Sequence, residues 1–342
     1  MTGTIRYLST LALPQEWLAR LRAAVPDLDV RQITAAAPAD VPDRIWRDVH
    51  VLHTSGVLPE PDLVPELRWV QLDTSGVDHV RGTGLWAGNV PITTIGGVSP
   101  VPLAEYVLWA ILGAAHRLPA MLEARASRAW PDATTRFRTF LPAPVAGGRV
   151  VVVGYGRIGR EIGRRCRAHG MSVVGVSRTG RPRARAEAEL YADFAGRTDE
   201  PDDALVVGPD RLAEVFAEAD YAVVVLPLTD ESLGLVDACA IEALKPGAVV
   251  VNVARGGIVD EKALLEALRS GRVGSVFLDV FADEPLPPTS PWWDEPGCFV
   301  TPHVAGLAPQ YFDHVLDLVV RNLVRLRDGL PLLNLVDRTR GY

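Results

Sequence analysis

The feature that most narrows what this chain can fold into is a glycine-spaced string, Gly154-Tyr155-Gly156-Arg157-Ile158-Gly159, set directly behind the valine run Arg149–Val153. An unbroken valine run of that length reads as a strand buried on both faces of a parallel sheet. The residues after the string, to about His169, read as a helix. Strand, glycine turn and helix in that order turn a weak glycine pattern into a dinucleotide fingerprint. Gly154 permits the tight turn, Gly156 lets the backbone approach a pyrophosphate, and Gly159 lets helix and strand pack closely. Arg157 and Ile158 open a helix whose free N–H groups and positive dipole end suit phosphate. The competing reading is an ordinary glycine-rich turn between strand and helix.

The end of the next strand selects the dinucleotide. A unit that binds NAD usually carries Asp or Glu about 20 residues on, to hold the ribose 2′-hydroxyl. Here that place reads Ser177-Arg178-Thr179, without an acid. Arg178 supplies a permanent planar charge for a 2′-phosphate, and Ser177 and Thr179 supply hydroxyl donors. The expected cofactor is therefore NADP(H). NAD(H) stays possible if Arg178 is a solvated loop residue and the ribose is held through hydroxyls alone.

Around this motif short apolar runs alternate with helical patterns, which implies parallel sheets covered by helices, an α/β class. Before it come candidate strands Thr4–Ser9, Leu28–Ile33, Val49–Thr54, Trp69–Leu72 and Val90–Ile95, with a helix over Pro14–Val25. After it come Ser172–Val176, Tyr221–Leu226, Ala248–Val253, Ser275–Val280 and Cys298–Thr301, with helices over Glu261–Arg269 and Pro309–Arg327. One long helix is expected from Val101 to about Arg128, then an irregular stretch over Trp130–Gly148. Arg181 to about Gly208 has no clean period and reads as an inserted surface loop or helix without an assigned function.

At 342 residues the chain can hold two domains, each with its own core. Thirty-five basic against 42 acidic residues leave a net charge of −7, which argues against nucleic acid or an anionic membrane as partner. No apolar run approaches the ~18 residues of a membrane span, and the N-terminus lacks a convincing signal-peptide core. Three scattered cysteines, Cys166, Cys239 and Cys298, suggest neither a disulfide framework nor a metal site. A soluble, cytoplasmic protein is expected.

Three further strings end or follow strands: Asn252–Gly257, Leu278–Leu286 and Thr301–Gly306. In a doubly wound sheet, ligands sit beyond the carboxyl ends of the strands. Arg255, Glu284 and His303 lie a few residues past such ends. An Arg grips a carboxylate with two hydrogen bonds. A His passes a proton at neutral pH, and a neighbouring carboxylate orients its ring. Singly, each is more often a salt bridge or a loop cap; jointly they suggest an acid–base pair with a substrate anchor.

The strings GYGRIG, NVARGGIVDE, LDVFADEPLP and TPHVAG, in this order, strongly resemble the D-isomer-specific 2-hydroxyacid dehydrogenases. SGVDHV at Ser75–Val80 and AEYVL at Ala104–Leu108 extend the likeness over nearly the whole chain. The resemblance implies that Arg255 binds the substrate carboxylate and carbonyl, that Glu284 pairs with the catalytic His, and that His303 is the proton donor. It further implies that backbone N–H groups around Ser75, Gly76 and Val77 hold the carboxylate, and that Asp279 faces the nicotinamide carboxamide. The implied architecture is two doubly wound parallel-sheet domains. A Rossmann dinucleotide-binding domain, 101–306, is inserted into a flavodoxin-like substrate domain, 1–100 with 307–342, with the active site in the cleft. The Val101–Arg128 helix resembles a dimerisation element, so a homodimer is implied; a buried inter-domain helix would explain the same apolar stripe.

Ser177-Arg178 resembles the NADPH-preferring glyoxylate and hydroxypyruvate reductase branch, so a small 2-oxo acid is the expected substrate. His53, Ser55, Trp130, Trp292 and Trp293 are candidates to read its side chain, each equally explicable as packing. Formate dehydrogenase-like chemistry is disfavoured, because that branch lacks the acid partner supplied here by Glu284. Two alternatives stay open: oxidation of phosphite or a phosphonate-type acid by the same Arg–Glu–His set, and a non-catalytic, dinucleotide-sensing role of the corepressor kind.

Overall fold

The computed structural model describes residues 3–182 and 204–342, and divides into two compact units, Met1–Val98 with Pro309–Tyr342 and Ser99–Ala308. In the larger unit seven strands lie in one sheet: β6 (Arg149–Val153), β7 (Ser172–Val176), β8 (Leu205–Val207), β9 (Tyr221–Val224), β10 (Ala248–Asn252), β11 (Val273–Leu278) and β12 (Cys298–Val300). They run parallel in the order β12-β11-β10-β9-β6-β7-β8, the doubly wound dinucleotide-binding order with one strand added. Why valines fill β6 is visible in the packing. Val151 and Val153 join the core on one face, while Val150 and Val152 join the core on the other. The same alternation splits Ala222 and Val224 from Tyr221 and Val223, and Val250 from Val249 and Val251. A strand covered twice must be apolar at every position, because its side chains alternate between the faces.

The smaller unit carries β1 (Ile5–Ser9), β2 (Leu28–Gln32), β3 (Val51–Thr54), β4 (Trp69–Leu72) and β5 (Ile92–Thr93), all parallel in the order β2-β1-β3-β4-β5. This is the flavodoxin-like order. The C-terminal segment closes the unit. Its Tyr311–Arg327 helix meets the Gln15–Ala24 helix through Arg20, which bonds Asp313 at 2.7 Å and Asp317 at 2.8 Å. Buried Asn322 pins the following chain by exchanging hydrogen bonds with both backbone groups of Leu333.

Three sequence expectations are corrected. The helix expected over Val101–Arg128 is two helices, Pro100–Ala115 and Leu118–Ala126, parted at Arg117, which takes φ 61°. Pro119 is the reason: proline fits a first turn but not a helix interior. The irregular stretch Trp130–Gly148 contains a helix, Ala133–Phe140, capped by Asp132, whose carboxylate accepts the Thr135 N–H at 2.9 Å. The end of the Arg181–Gly208 segment is strand β8, paired with β7, not a surface loop or helix. Residues 183–203 of that segment lie outside the described residues.

Candidate active site

A single row of paired residues marks the carboxyl edge of the larger sheet: Val207, Val176, Val153, Val224, Asn252, Leu278 and Val300 stand side by side from β8 to β12. The glycine string, Ser177-Arg178-Thr179, Asn252–Gly257, Leu278–Leu286 and Thr301–Gly306 all begin on this row or one residue past it. The strand order reverses between β6 and β9, which puts the crevice for a ligand just beyond Val153.

There the three glycines do different work. Gly154 has φ 104°, and a Cβ on it would collide with the Val225 carbonyl at the end of β9. A Cβ on Gly159 would collide with the Gly154 carbonyl, so helix and strand touch at this point. A Cβ on Gly156 would meet nothing within 4 Å. That open approach, at the start of the Arg157–Ala168 helix, fits a pyrophosphate lying against the backbone. Ile158 is half-buried and packs on the core, so its part in any phosphate site is its backbone. Tyr155 is an anchor that the glycine pattern did not reveal. Its buried ring fills the space where Gly163 and Gly175 would carry side chains.

After β7 the loop folds back on itself. The Ser177 hydroxyl donates to the Arg181 carbonyl at 3.0 Å and accepts the Arg181 N–H, so its proton is already committed. Arg178 and Thr179 are exposed, and Arg178 Nη1 lies 3.8 Å from Glu231 Oε2.

Past β10, β11 and β12 the proposed chemistry assembles. Glu284 Oε2 meets His303 Nδ1 at 2.8 Å, and Glu284 Oε1 accepts the Phe281 N–H at 2.9 Å. The other ring nitrogen, Nε2, has no partner among the described residues, and the His303 side chain is 47% exposed. His303 takes φ 54°, a left-handed conformation that His accepts more readily than most residues. It is held there by its own N–H, which reaches the carbonyls of Asp279 and Thr301.

Asp279, 2% exposed, is the anchor of that loop. Its carboxylate accepts from the Thr301 hydroxyl at 2.6 Å and from the Val304 and Ala305 amides at 2.8 and 3.0 Å. Thr301 in turn accepts from Tyr106 at 2.7 Å, and burial pushes the Tyr106 phenol up to about 12, so it stays a donor. Asp279 thus spends most of its acceptor capacity inside the loop, leaving room for about one further donor.

Arg255 is half-buried, with Nη1 donating to the Ala254 carbonyl at 2.7 Å. Its turn is set by Asn252, whose side chain accepts the Ala254 N–H. The next residue, Gly256, presses so closely on the Phe281–Ala282 peptide that any Cβ would overlap it. The Arg255 turn and the Glu284 loop are therefore packed backbone to backbone. Because Asn252, Leu278 and Val300 share one row, Arg255 and His303 each rise three residues beyond it, on strands about 10 Å apart.

In the smaller unit the turn after β4 presents the N–H groups of Ser75, Gly76 and Val77, none of which donates to another group among the described residues. The Thr74 hydroxyl closes this turn on the Gly76 carbonyl at 2.8 Å. Consecutive unspent amides are a ready anion site. His53 follows the packing alternative: it is 0% exposed, its Nδ1 2.6 Å from the Tyr7 hydroxyl and its Nε2 3.5 Å from Asp73 Oδ1. Trp292 is buried at 4% and so is packing, whereas Ser55, Trp130 and Trp293 are exposed. Among the described residues no group of three His, Cys, Asp or Glu side chains could hold a metal ion, and no helix is long and apolar enough to cross a membrane.

The family described as "D-isomer specific 2-hydroxyacid dehydrogenase, NAD binding domain" matches residues 108–305. A glyoxylate reductase of Thermococcus gammatolerans is 29% identical over 328 residues, covering 94% of this chain and 92% of that one. A D-3-phosphoglycerate dehydrogenase of Archaeoglobus fulgidus is 29% identical over 77% of this chain, which spans about half (46%) of that protein's length. Among solved structures, a D-isomer specific 2-hydroxyacid dehydrogenase of Xanthobacter autotrophicus Py2 in complex with NADPH and MES superposes with a TM-score of 0.78 at 31% identity, over 99% of this chain and 100% of that one. An NADPH-dependent glyoxylate/hydroxypyruvate reductase of Sinorhizobium meliloti in complex with NADP and sulfate gives 0.78 at 26%, with the same coverage.

Proposed function

Because this chain belongs to the D-isomer specific 2-hydroxyacid dehydrogenase family, an NAD(P)-dependent group of enzymes, we propose that it reduces a small 2-oxo acid, glyoxylate or hydroxypyruvate, with NADPH. The observation that carries the reaction type is the Glu284–His303 contact at 2.8 Å, which leaves Nε2 unspent among the described residues. The substrate class leans on two relatives named for glyoxylate reduction. The cofactor choice leans on Arg178 and on NADPH or NADP in two structural neighbours.

When bound, the nicotinamide supplies the hydride. The chain does the rest. Arg255 takes the substrate carboxylate in a two-bond grip, and the unspent amides of Ser75, Gly76 and Val77 are proposed as an anion hold in the smaller unit. His303, protonated, gives its Nε2 proton to the oxygen that becomes the hydroxyl. Glu284 holds the opposite ring nitrogen and stabilises the charged imidazole before transfer. The last acceptor position of Asp279 is proposed for the nicotinamide carboxamide. Phosphate recognition falls to the Gly154–Gly159 turn with the N–H groups of Arg157 and Ile158, and Arg178 with Thr179 takes the ribose 2′-phosphate.

The test is NADPH and NADH oxidation against glyoxylate, hydroxypyruvate, pyruvate, phenylpyruvate and branched 2-oxo acids. Fast turnover of the first two with NADPH supports the reading. Turnover confined to larger acids overturns the substrate class, and tight nucleotide binding without any turnover favours a sensing role. In Arg178→Ala the preference for NADPH over NADH should fall about tenfold, the loss of one charge-assisted phosphate contact. We further propose a homodimer formed through the helices of 100–141, where Trp109, Met121, Leu122, Trp130, Phe137 and Leu141 are exposed apolar residues. Sedimentation at a monomer's mass would remove that part.

A further inference from the structure

The string that supplies Arg255 ends on an acid, Glu261, that the proposed chemistry leaves unused. Asp260 caps the Glu261–Arg269 helix by accepting the Ala263 N–H at 3.0 Å. Glu261, the first helical residue, instead reaches out of its helix. Its Oε1 accepts the N–H of Ala282 at 2.7 Å, 21 residues along the chain. Buried Trp292 lies close to the same carboxylate.

Ala282 follows Phe281, whose N–H is taken by Glu284 Oε1 at 2.9 Å, and Glu284 Oε2 is the atom that meets His303. Two carboxylates therefore grip consecutive amides of one loop, Glu284 from within it and Glu261 from the neighbouring helix. Gly256 presses on the same Phe281–Ala282 peptide, with no space for a Cβ. The peptide is held by both the Arg255 turn and Glu261.

This arrangement is costly. Burial raises the carboxyl of Glu261 above its ordinary range, and the charges of Asp283 and Glu284 add to the rise, opposed chiefly by the Ala282 hydrogen bond. The groups facing Glu261 are thus Asp283 and Glu284 from the loop and Trp292 from the short Pro291–Trp293 turn. A neutral acceptor would hold the loop without that electrostatic penalty.

We propose that Glu261 is a positioning residue for the proton donor: it fixes the Phe281–Ala282 peptide, which fixes Glu284, which sets the His303 ring. The proposal rests on the reading of His303 as donor.

The test combines steady-state reduction of a 2-oxo acid by NADPH with NMR observation of the His303 Nδ1 proton in cofactor-free protein, where that nitrogen makes the 2.8 Å contact with Glu284. In Glu261→Ala, kcat should fall about tenfold or more while KM stays within about twofold, since misplacing a proton donor weakens the transition state rather than binding. The Nδ1 proton signal should also be lost to exchange with water, because the Glu284 carboxylate is no longer held. Glu261→Gln keeps an acceptor oxygen for Ala282, so it should recover kcat to within about threefold of wild type and restore the signal. Should Glu261→Ala fail to fold, Glu261→Asp, one methylene too short to reach the Ala282 amide, takes its place and must weaken the signal likewise. Wild-type kcat with an unchanged Nδ1 signal in Glu261→Ala overturns the proposal, as does a lowered Tm with the signal unchanged. The signal needs no substrate: wild-type protein that turns over none of the acids removes the reaction proposed above, and the ring still decides the role of Glu261.

Discussion

The two sheets of this chain are built alike, parallel and covered by helices, yet they treat polar groups in opposite ways. In the larger sheet β6 is apolar throughout its buried length, and apart from buried Ser275 and Asn252 the polar chemistry starts past the last paired row, at Ser177, Asp279 and Thr301. In the smaller sheet the polar groups sit inside the strands. Ser9, His53, Thr54, Gln71 and Thr93 are all fully buried. Most of them bond nearby: Tyr7 with His53 at 2.6 Å, Thr10 with Thr54 at 2.8 Å, Trp69 with Thr93 at 2.7 Å, and Ser9 with the Leu11 carbonyl, while His53 Nε2 stays buried without a hydrogen-bond partner. A dry sheet is a rigid platform that leaves its loop groups free to act on a ligand. A sheet with a polar interior consumes its groups internally, since a buried donor left unmade costs more than a made one gains. Substitutions beyond the dry sheet should therefore strike turnover, and substitutions inside the polar one should strike stability.

The sharpest way to break that division is His303→Ala. Removing the donor should lower kcat by about 10²–10⁴ while leaving NADPH affinity and Tm nearly unchanged. Stopped-flow reduction alongside fluorescence titration of NADPH reads both, and a kcat near wild type would strip His303 of its role. Next in size is Gly154→Ala. The added methyl meets the Val225 carbonyl at a backbone φ of 104°, so dinucleotide affinity should fall at least about tenfold, with about 1–3 kcal/mol of strain. Equal affinity by calorimetry would show that the turn has another way to open.

The same contrast explains what the sequence disclosed. Beyond the dry sheet, function is written in short contiguous strings, because each loop begins one residue after a strand and carries its chemistry within a few positions. GYGRIG, the Arg255 turn, Glu284 and His303 were legible for that reason. The clamp on Ala282 was not, because Glu261 and Ala282 are 21 residues apart and only the β10–β11 pairing brings their loops together. His53 looked like a residue facing a ligand because a lone His at a strand end gives no sign of Tyr7, a partner 46 residues away. The helix break at Arg117 was encoded in Pro119, but an apolar pattern that continues through the break hid it. Asp132 and Thr135 carried a readable cap signal that the surrounding prolines outweighed.

Inside the polar sheet the expected effect is on the fold. Burial, and then the charge of Asp73, holds the Tyr7 phenol well above its ordinary range, so the hydroxyl stays protonated in its hydrogen bond with His53 Nδ1. His53→Leu strips that partner and leaves the Tyr7 hydroxyl unmade. Unfolding in urea should show a loss of about 1–3 kcal/mol, with the specific activity of the folded protein within about twofold of wild type. If activity fell far more than stability, the polar interior would have a functional role and the contrast between the sheets would fail.

The smallest effect lies where the two behaviours meet, at Glu261, a half-buried acid serving a loop of the dry sheet. Its carboxyl is raised in the folded protein above an ordinary value of 4.5, first by burial. A group raised on folding stabilises the fold below its unfolded value and loses that contribution as pH climbs through the folded value. Wild type should therefore surrender some stability from about pH 4.5 upward, in the window where Glu261 ionises beside Asp283 and Glu284. Glu261→Gln does not titrate. Relative to wild type it should gain stability between pH 4 and pH 7, seen as diverging urea midpoints. Midpoints that converge over that range would mean that ionised Glu261 is net stabilising, and that the loop is held for the fold rather than for His303.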